Sequence, residues 1–269
     1  KLDYRAISKT DSLADFAQWF TNLQQHLPIW ETQCDFLCLM RRPCITRAKL
    51  GSRLLDKLKS IRMSFGSMCL SYSELRPYQS WFPDRELPLL LDGRIIRSEN
   101  NLEHNVVNPL FRTCAVNIIA ESSSQHDDTW HSVFVTEKTF KAFGMLQIPV
   151  WWAVPGLVNC VRKMGFDLFD DTIDHSYDNE LDEEIRLEMV VRELTKLQEL
   201  DPAQLRMNLR PRLEKNFQRL NQMVQAQSLH FVFDIMPDSQ RPKRIGFGTC
   251  KIKIATAHHE VTINTAHTH

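Results

Sequence analysis

The stretch that most constrains the fold runs over residues 114–156, CAVNIIAESSSQHDDTWHSVFVTEKTFKAFGMLQIPVWWAVPG. It opens with an apolar run, Cys114–Ala120, of the length and β-branched content of a buried strand. Residues 122–130 are polar and read as a loop. Val133 and Val135 are apolar again, and from Glu137 the positions Phe140, Phe143, Gly144 and Met145 suit a short helix packed on a sheet. Residues 148–154 form a second apolar run, stopped by Pro155-Gly156. Strand, loop, helix, strand and turn in that order make a βαβ unit of a parallel sheet. Ligands of such sheets sit at the carboxyl ends of the strands, where helix N-termini present free N–H groups. Thr136-Glu137-Lys138 falls at such an end, and a cation beside a carboxylate there suits a phosphorylated, sugar-bearing ligand.

The same residues carry a resemblance. Ala120-Glu121-Ser122-Ser123, then Val135-Thr136-Glu137-Lys138, then Gln147-Ile148-Pro149-Val150 resemble, in order, the F-E-N-S, Y-x-T-E-K and G-V/I-P-V elements of fucosyltransferase-type glycosyltransferases. The chain is still more similar to glycosyltransferase-like proteins encoded by bacteriophages, in which T-E-K-T-[WF]-K precedes a Pro-Gly turn and a G-F-x-x-F…S-Y-D segment. Here that segment is Gly165-Phe166-Asp167-Leu168-Phe169 with Ser176-Tyr177-Asp178. The resemblance covers roughly residues 34–220. It implies a Rossmann-like α/β domain, the donor-binding half of a two-lobed (GT-B) glycosyltransferase, with a parallel sheet and helices on both faces. It also implies a nucleotide-sugar donor, no cofactor and no metal.

Composition bounds the alternatives. Lys plus Arg and Asp plus Glu are 33 each in 269 residues, so no global basic field binds nucleic acid unaided. No apolar run approaches the ~20 residues of a membrane-spanning helix. The polar N-terminus, KLDYRAISKTD, lacks the apolar core of a signal peptide. The seven cysteines are odd in number and include no CxxC pair. Most lie in apolar runs, which predicts reduced, buried thiols in a cytoplasmic protein. A membrane partner is not expected. The C-terminal histidines His258, His259, His267 and His269 fit a solvated, Thr-rich tail better than a metal cluster.

In chain order, residues 11–30 show Leu13, Phe16, Phe20 and Leu23 at helical spacing after Asp11 or Ser12, and Pro28 ends the pattern. Residues 1–33 thus form an N-terminal helical segment, short for an acceptor-binding lobe. Residues 34–40 read as the first strand. A helix from about Thr46 follows, with Leu50, Leu54, Leu55 and Leu58 on one face and Arg47, Lys49, Arg53 and Lys57 on the others. Residues 68–72 are the next strand candidate. Residues 73–109, broken by Pro77, Pro83, Pro88 and Pro109, read as loop with short helical turns.

After Pro155-Gly156, residues 157–164 read as a helix stopped by Gly165, and 166–169 as a short strand or its lead-in. Asp167, Asp170, Asp171, Asp174 and Asp178 form an acidic cluster without calcium-loop spacing. Residues 178–200 are an amphipathic helix with acids in its first half. Pro202 opens another helix through Leu205, Leu209, Leu213 and Phe217. Three segments result: 1–33, an α/β domain over 34–227, and a strand-like extension or tail over 228–269, apart from the donor cleft.

Sugar transfer from a nucleotide diphosphate requires stabilisation of the leaving diphosphate, a held donor and a base for the acceptor hydroxyl. The resemblance assigns Arg47 and Lys138 to the diphosphate and Glu137 to the ribose, with Thr136 opening the helix whose dipole assists. Glu121, ending the preceding strand, would face the same cleft. Phe134 stands where the family has a tyrosine and keeps the ring without the hydroxyl. Lys141 replaces an Asn and would add a phosphate contact, and Gln147 replaces a Gly. These departures leave the sugar open, and the acceptor would be a glycan or a modified DNA base. No base is assigned; His126, Asp127, Asp128 and His131 are the local substitutes. The competing expectation is that Glu137 and Lys138 charge an exposed helix start, that Glu121 pairs with a nearby arginine, and that the domain is a non-catalytic nucleotide-binding or interaction module.

Overall fold

The computed structural model describes residues 5–6, 32–67, 71–90, 110–121, 132–133, 135–225, 253–255 and 260–262. Among these residues five strands form the main sheet: β1 Cys34–Met40, β2 Ile61–Phe65, β3 Leu89–Leu90, β4 Cys114–Ala120 and β5 Ile148–Trp152. Their spatial order is β3-β2-β1-β4-β5, with β2, β1, β4 and β5 mutually parallel and β3 antiparallel on the edge. Every residue of β4 and β5 is buried. Near-continuous burial is what a parallel sheet covered on both faces demands, and it explains why these strands read as apolar runs rather than alternating ones.

Helix α1 (Ile45–Lys57) connects β1 to β2, and α2 (Glu137–Gly144) connects β4 to β5. The two crossovers leave the β1/β4 boundary in opposite directions along the sheet. Right-handed crossovers of opposite direction put their helices on opposite faces. Three more helices follow: α3 (Leu157–Lys163), α4 (Glu183–Leu197) and α5 (Pro202–Gln225). Helix α4 packs on α1 and β5, and α5 packs on α2 and β4. The described residues between 34 and 225 therefore form an α/β domain with a Rossmann-like parallel sheet.

Local chemistry sets most boundaries. Thr136 caps α2, its side chain accepting from Lys138 N–H, and Asp182 caps α4, accepting from Glu184 and Ile185 N–H. Asp201 accepts from Gln204 N–H just ahead of Pro202, which has no N–H to satisfy. Gly165 ends the turn after α3 at φ 87°, a left-handed conformation open to glycine. Pro149 lies in β5, paired with Asn117 of β4. A proline is tolerated there because β5 is the outermost strand among the described residues, so one side of it donates to no neighbour.

The structure corrects two expected strands. The second strand of the sheet is Ile61–Phe65, not 68–72: Ser71 is extended, Tyr72–Leu75 is a helical turn, and 68–70 lie outside the described residues. Ile61, Met63 and Phe65 alternate with Arg62 and Ser64, and in-register pairing with β1 starts within a few residues of the end of α1. Residues 166–169 form no strand, although Phe166, Leu168 and Phe169 are buried. Their backbone is diverted at Phe169, which has φ 63°. The expected helix over 178–200 begins later, at Glu183, after a 3-10 turn over His175–Asn179.

The chain divides into two compact units, Lys1–Ile235 and Met236–His269. In the first, Arg5–Ala6 pairs in parallel with Ser132–Val133; the helix expected over 11–30 lies outside the described residues. In the second, Lys253–Ala255 and Glu260–Thr262 form an antiparallel pair.

Candidate functional site

Strand order reverses direction between β1 and β4, and in open α/β sheets the crevice that takes ligands lies at such a point, outside the carboxyl ends of the strands. Met40 and Ala120 end these two strands. Arg47, in the first turn of α1, spans the opening. Its Nη1 donates to Arg42 O and its Nη2 to Ala120 O, both at 2.9 Å, and only 6% of the residue is exposed. Its buried Nε meets no partner among the described residues. Arg41 is buried beside the same strand end. Two buried arginines thus belong to this edge of the sheet.

Glu121 follows Ala120 and is 1% exposed. Its carboxylate accepts from Thr136 N–H at 3.3 Å, from Thr136 Oγ1 at 2.7–2.8 Å and from Thr139 Oγ1 at 3.4 Å. Lys138 Nζ lies 3.3 Å from Glu121 Oε2 and 3.0 Å from Thr136 Oγ1, with its side chain 27% exposed. Trp151 Nε1 donates to Thr139 Oγ1 at 3.0 Å and so holds that hydroxyl in place. A carboxylate aimed at a helix start interacts favourably with the free N–H groups and with the helix dipole. Glu121 thus stands where an external anion would otherwise be held, and Lys138 leans toward it from the rim.

The structure therefore brings Arg47, Glu121, Thr136 and Lys138 to one sheet edge although 91 positions separate Arg47 from Lys138. It alters two expectations about them. Among the described residues the cation beside Glu121 is Lys138, where the competing expectation has an arginine. Arg47 is not an open cation but a brace between the turn after β1 and the end of β4. Lys141 lies in α2 and is 8% exposed, so it is no surface cation. Gln147, where the family pattern has glycine, accepts from Asn117 Nδ2 at 2.8 Å and donates to Cys114 O at 3.0 Å inside the sheet. Phe134, the side chain of Glu137, and His126, Asp127, Asp128 and His131 lie outside the described residues. Sequence reasoning missed Thr139 as a partner of Glu121. Its signal was the i, i+3 spacing from Thr136, which puts both hydroxyls on one side of the helix start.

The acidic cluster resolves into structural pairs. Arg212 binds Asp167 at 2.6 and 2.7 Å and Asp171 at 2.7 and 2.9 Å, over the Phe169 ring. Asp170 pairs with Arg162 at 2.7 Å and with His175 Nδ1 at 3.0 Å. Asp178 caps α3 through Val158 and Asn159 N–H at 3.0 and 2.9 Å, and Asp174 caps the following turn. Hydrogen bonds from Arg212 and Arg162 hold the Asp167 and Asp170 carboxyls below the usual range, against their partial burial. Burial pushes the Asp178 carboxyl up despite its backbone donors. A cavity of about 710 Å³ opens among these residues, lined by Asn159, Arg162, Asp170, His175, Glu193 and Lys196 among others. It takes in none of the crevice residues, and the charges on its wall largely answer one another. Among the described residues, no group of three or more His, Cys, Asp or Glu is placed to hold a metal. No helix among them is long and apolar enough to cross a membrane.

No protein-family model matches the chain, and no curated protein or solved structure matches it either.

Proposed function

We propose that the crevice between β1 and β4 binds the diphosphate of a nucleotide-sugar, and that the protein transfers the sugar to a hydroxyl acceptor, a glycan or a modified DNA base. The observation that supports this reading most is the gathering of Arg41, Arg47 and Lys138 at the carboxyl edge of a parallel sheet, at its change of strand direction. The ordered motif resemblance over residues 34–220 names the ligand class. Lys138 is the most accessible cation of the set, and Glu137 at the first turn of α2 is assigned to the ribose.

A thermal-shift panel of GDP-, UDP-, ADP- and CMP-sugars tests the reading. One nucleotide family is expected to raise the melting midpoint, and none doing so removes the proposal. Lys138→Ala should then weaken nucleotide diphosphate binding about ten- to a hundredfold, because a charge-assisted hydrogen bond contributes roughly 1.5–3 kcal/mol. Glu121→Gln should strengthen it, since the internal partner that draws Lys138 inward loses its charge. Calorimetric titration of variants shown to be folded separates these outcomes from loss of structure.

The bonding of Glu121 favours a second reading. The carboxylate fills the start of α2, and Arg47 spends two donors on backbone carbonyls. A non-catalytic nucleotide-binding or interaction module would have that arrangement. Donor binding without transfer to any glycan or DNA acceptor supports it.

A further inference from the structure

Cys34 opens β1 and Cys114 opens β4, and the two are register partners across the centre of the sheet. They sit at the amino ends of the strands whose carboxyl ends form the crevice. Register partners in parallel strands project to the same face. Adjacent strands lie about 4.8 Å apart, inside the roughly 4.4–6.8 Å of Cα separation that a disulfide spans. The two thiols are close enough to bias each other's protonation. Cys34 Sγ also donates to Ser60 O at 3.2 Å and accepts from Ser60 Oγ at 3.4 Å. Both cysteines are buried and reduced.

We propose that Cys34 and Cys114 are a redox-active dithiol that closes to a cross-strand disulfide when a peroxide oxidises it. The surroundings give the two sulfurs different tasks. The Cys114 thiol, the Ser60 hydroxyl and the charge of Arg62 favour the Cys34 thiolate against burial, lowering its pKa to about 6. Beside the Cys34 sulfur, and buried, Cys114 holds its proton more tightly than an ordinary thiol. Cys34 is therefore the nucleophile. Its thiolate attacks a peroxide oxygen: the S–O bond forms, the O–O bond breaks, and the departing hydroxide takes a proton to become water. Cys114 sulfur then attacks Cys34 sulfur, forming the S–S bond and breaking the S–O bond. The hydroxide released takes the Cys114 proton as a second water. The two thiols lose two electrons in all, and one peroxide becomes two waters. Cys38 supplies an internal contrast. It lies further along the same face of β1, opposite Met63 of β2, and burial pushes its thiol up to about 12.

The test treats the full chain with one equivalent of hydrogen peroxide, blocks remaining thiols with N-ethylmaleimide, and maps peptides without reduction. A linked Cys34–Cys114 peptide, a mass lower by two hydrogens and reversal by dithiothreitol are expected. Cys34 should react at least roughly tenfold faster than Cys38. In Cys114→Ser, which lacks the resolving sulfur, dimedone should trap a sulfenic acid at Cys34. The inference is overturned if the wild-type pair still takes up N-ethylmaleimide after oxidation, if the links join other cysteines, or if Cys34 and Cys38 oxidise at the same rate. Wild-type mapping decides it even if a serine variant fails to fold.

Discussion

His175 is a buried group that neither the crevice nor the strand caps employ. Its ring packs beside Trp151 and Tyr177, at centroid distances of 6.2 and 5.6 Å, and its Nδ1 meets Asp170 at 3.0 Å. Its Nε2 is buried with no partner among the described residues. Burial lowers its pKa below the ordinary 6.5, with the Asp170 carboxylate opposing the shift. The folded state therefore disfavours the imidazolium. A group depressed in this way contributes stability above its unfolded pKa, and that contribution is lost as pH falls toward the folded one. The melting midpoint is expected to fall between about pH 7 and pH 5, and His175→Phe, which keeps a ring against Trp151, should flatten that fall. A wild-type midpoint constant over this range, or an unchanged slope in the variant, would contradict it. Lys138 shows the same dependence on surroundings. As a residue of sequence it is an exposed helix-start cation of little consequence to stability; as the partner of the buried Glu121 it is not. Lys138→Ala should therefore cost about 1–3 kcal/mol of stability besides its effect on binding, read from denaturant midpoints.

At the level of elements, two sets of contacts join the helices to the sheet and to each other. Lys49 and Arg53 of α1, which read as a solvated face, pair with Glu184 and Glu188 of α4. Such surface pairs contribute little to stability, but they place acids and bases of matching spacing on two helices that share one face of the sheet. Arg206 of α5 matters more. It is almost fully buried, and its guanidinium donates to Leu146 O at 3.2 Å, Met145 O at 3.1 Å, Arg112 O at 2.8 Å and Phe111 O at 3.5 Å. These carbonyls close the end of α2 and the turn that leads into β4, groups a helix cannot satisfy by itself. Burial holds the Arg206 pKa down at about 10, still charged near neutrality. Arg206→Met removes every donor and leaves buried carbonyls unpaired, so equilibrium denaturation should show a loss of at least about 3 kcal/mol. Arg206→Lys should recover only part of it, because an ammonium cannot reproduce the planar fork. A loss under about 1 kcal/mol for the Met variant would mean that water satisfies these carbonyls.

For the molecule as a whole, stability is expected to be graded across the sheet. β1 and β4 lie between neighbours on both sides, while β3, two residues long, is the edge among the described residues. Amide exchange should be slowest in β1 and β4 and fastest in β3, since local opening frees the elements with fewest buried contacts first; equal protection in β3 and β1 would refute that order. The α/β class, the βαβ unit over residues 114–156, the helix starts at Thr136 and Asp201 and the stop at Gly165 are legible in the sequence alone, whereas the cap at Asp182 is not. Each of the legible features depends on interactions within a few residues, which spacing and residue type express directly. Tertiary pairing makes Ile61–Phe65 rather than 68–72 the second strand, because pairing with β1 selects among short alternating segments. The fold likewise sets Lys138 beside Glu121, makes Arg47 a brace between two strand ends, and gives Arg206 and Cys34 partners far along the chain. Sheet order sets those pairings, and a linear pattern records periodicity, not which strands become neighbours.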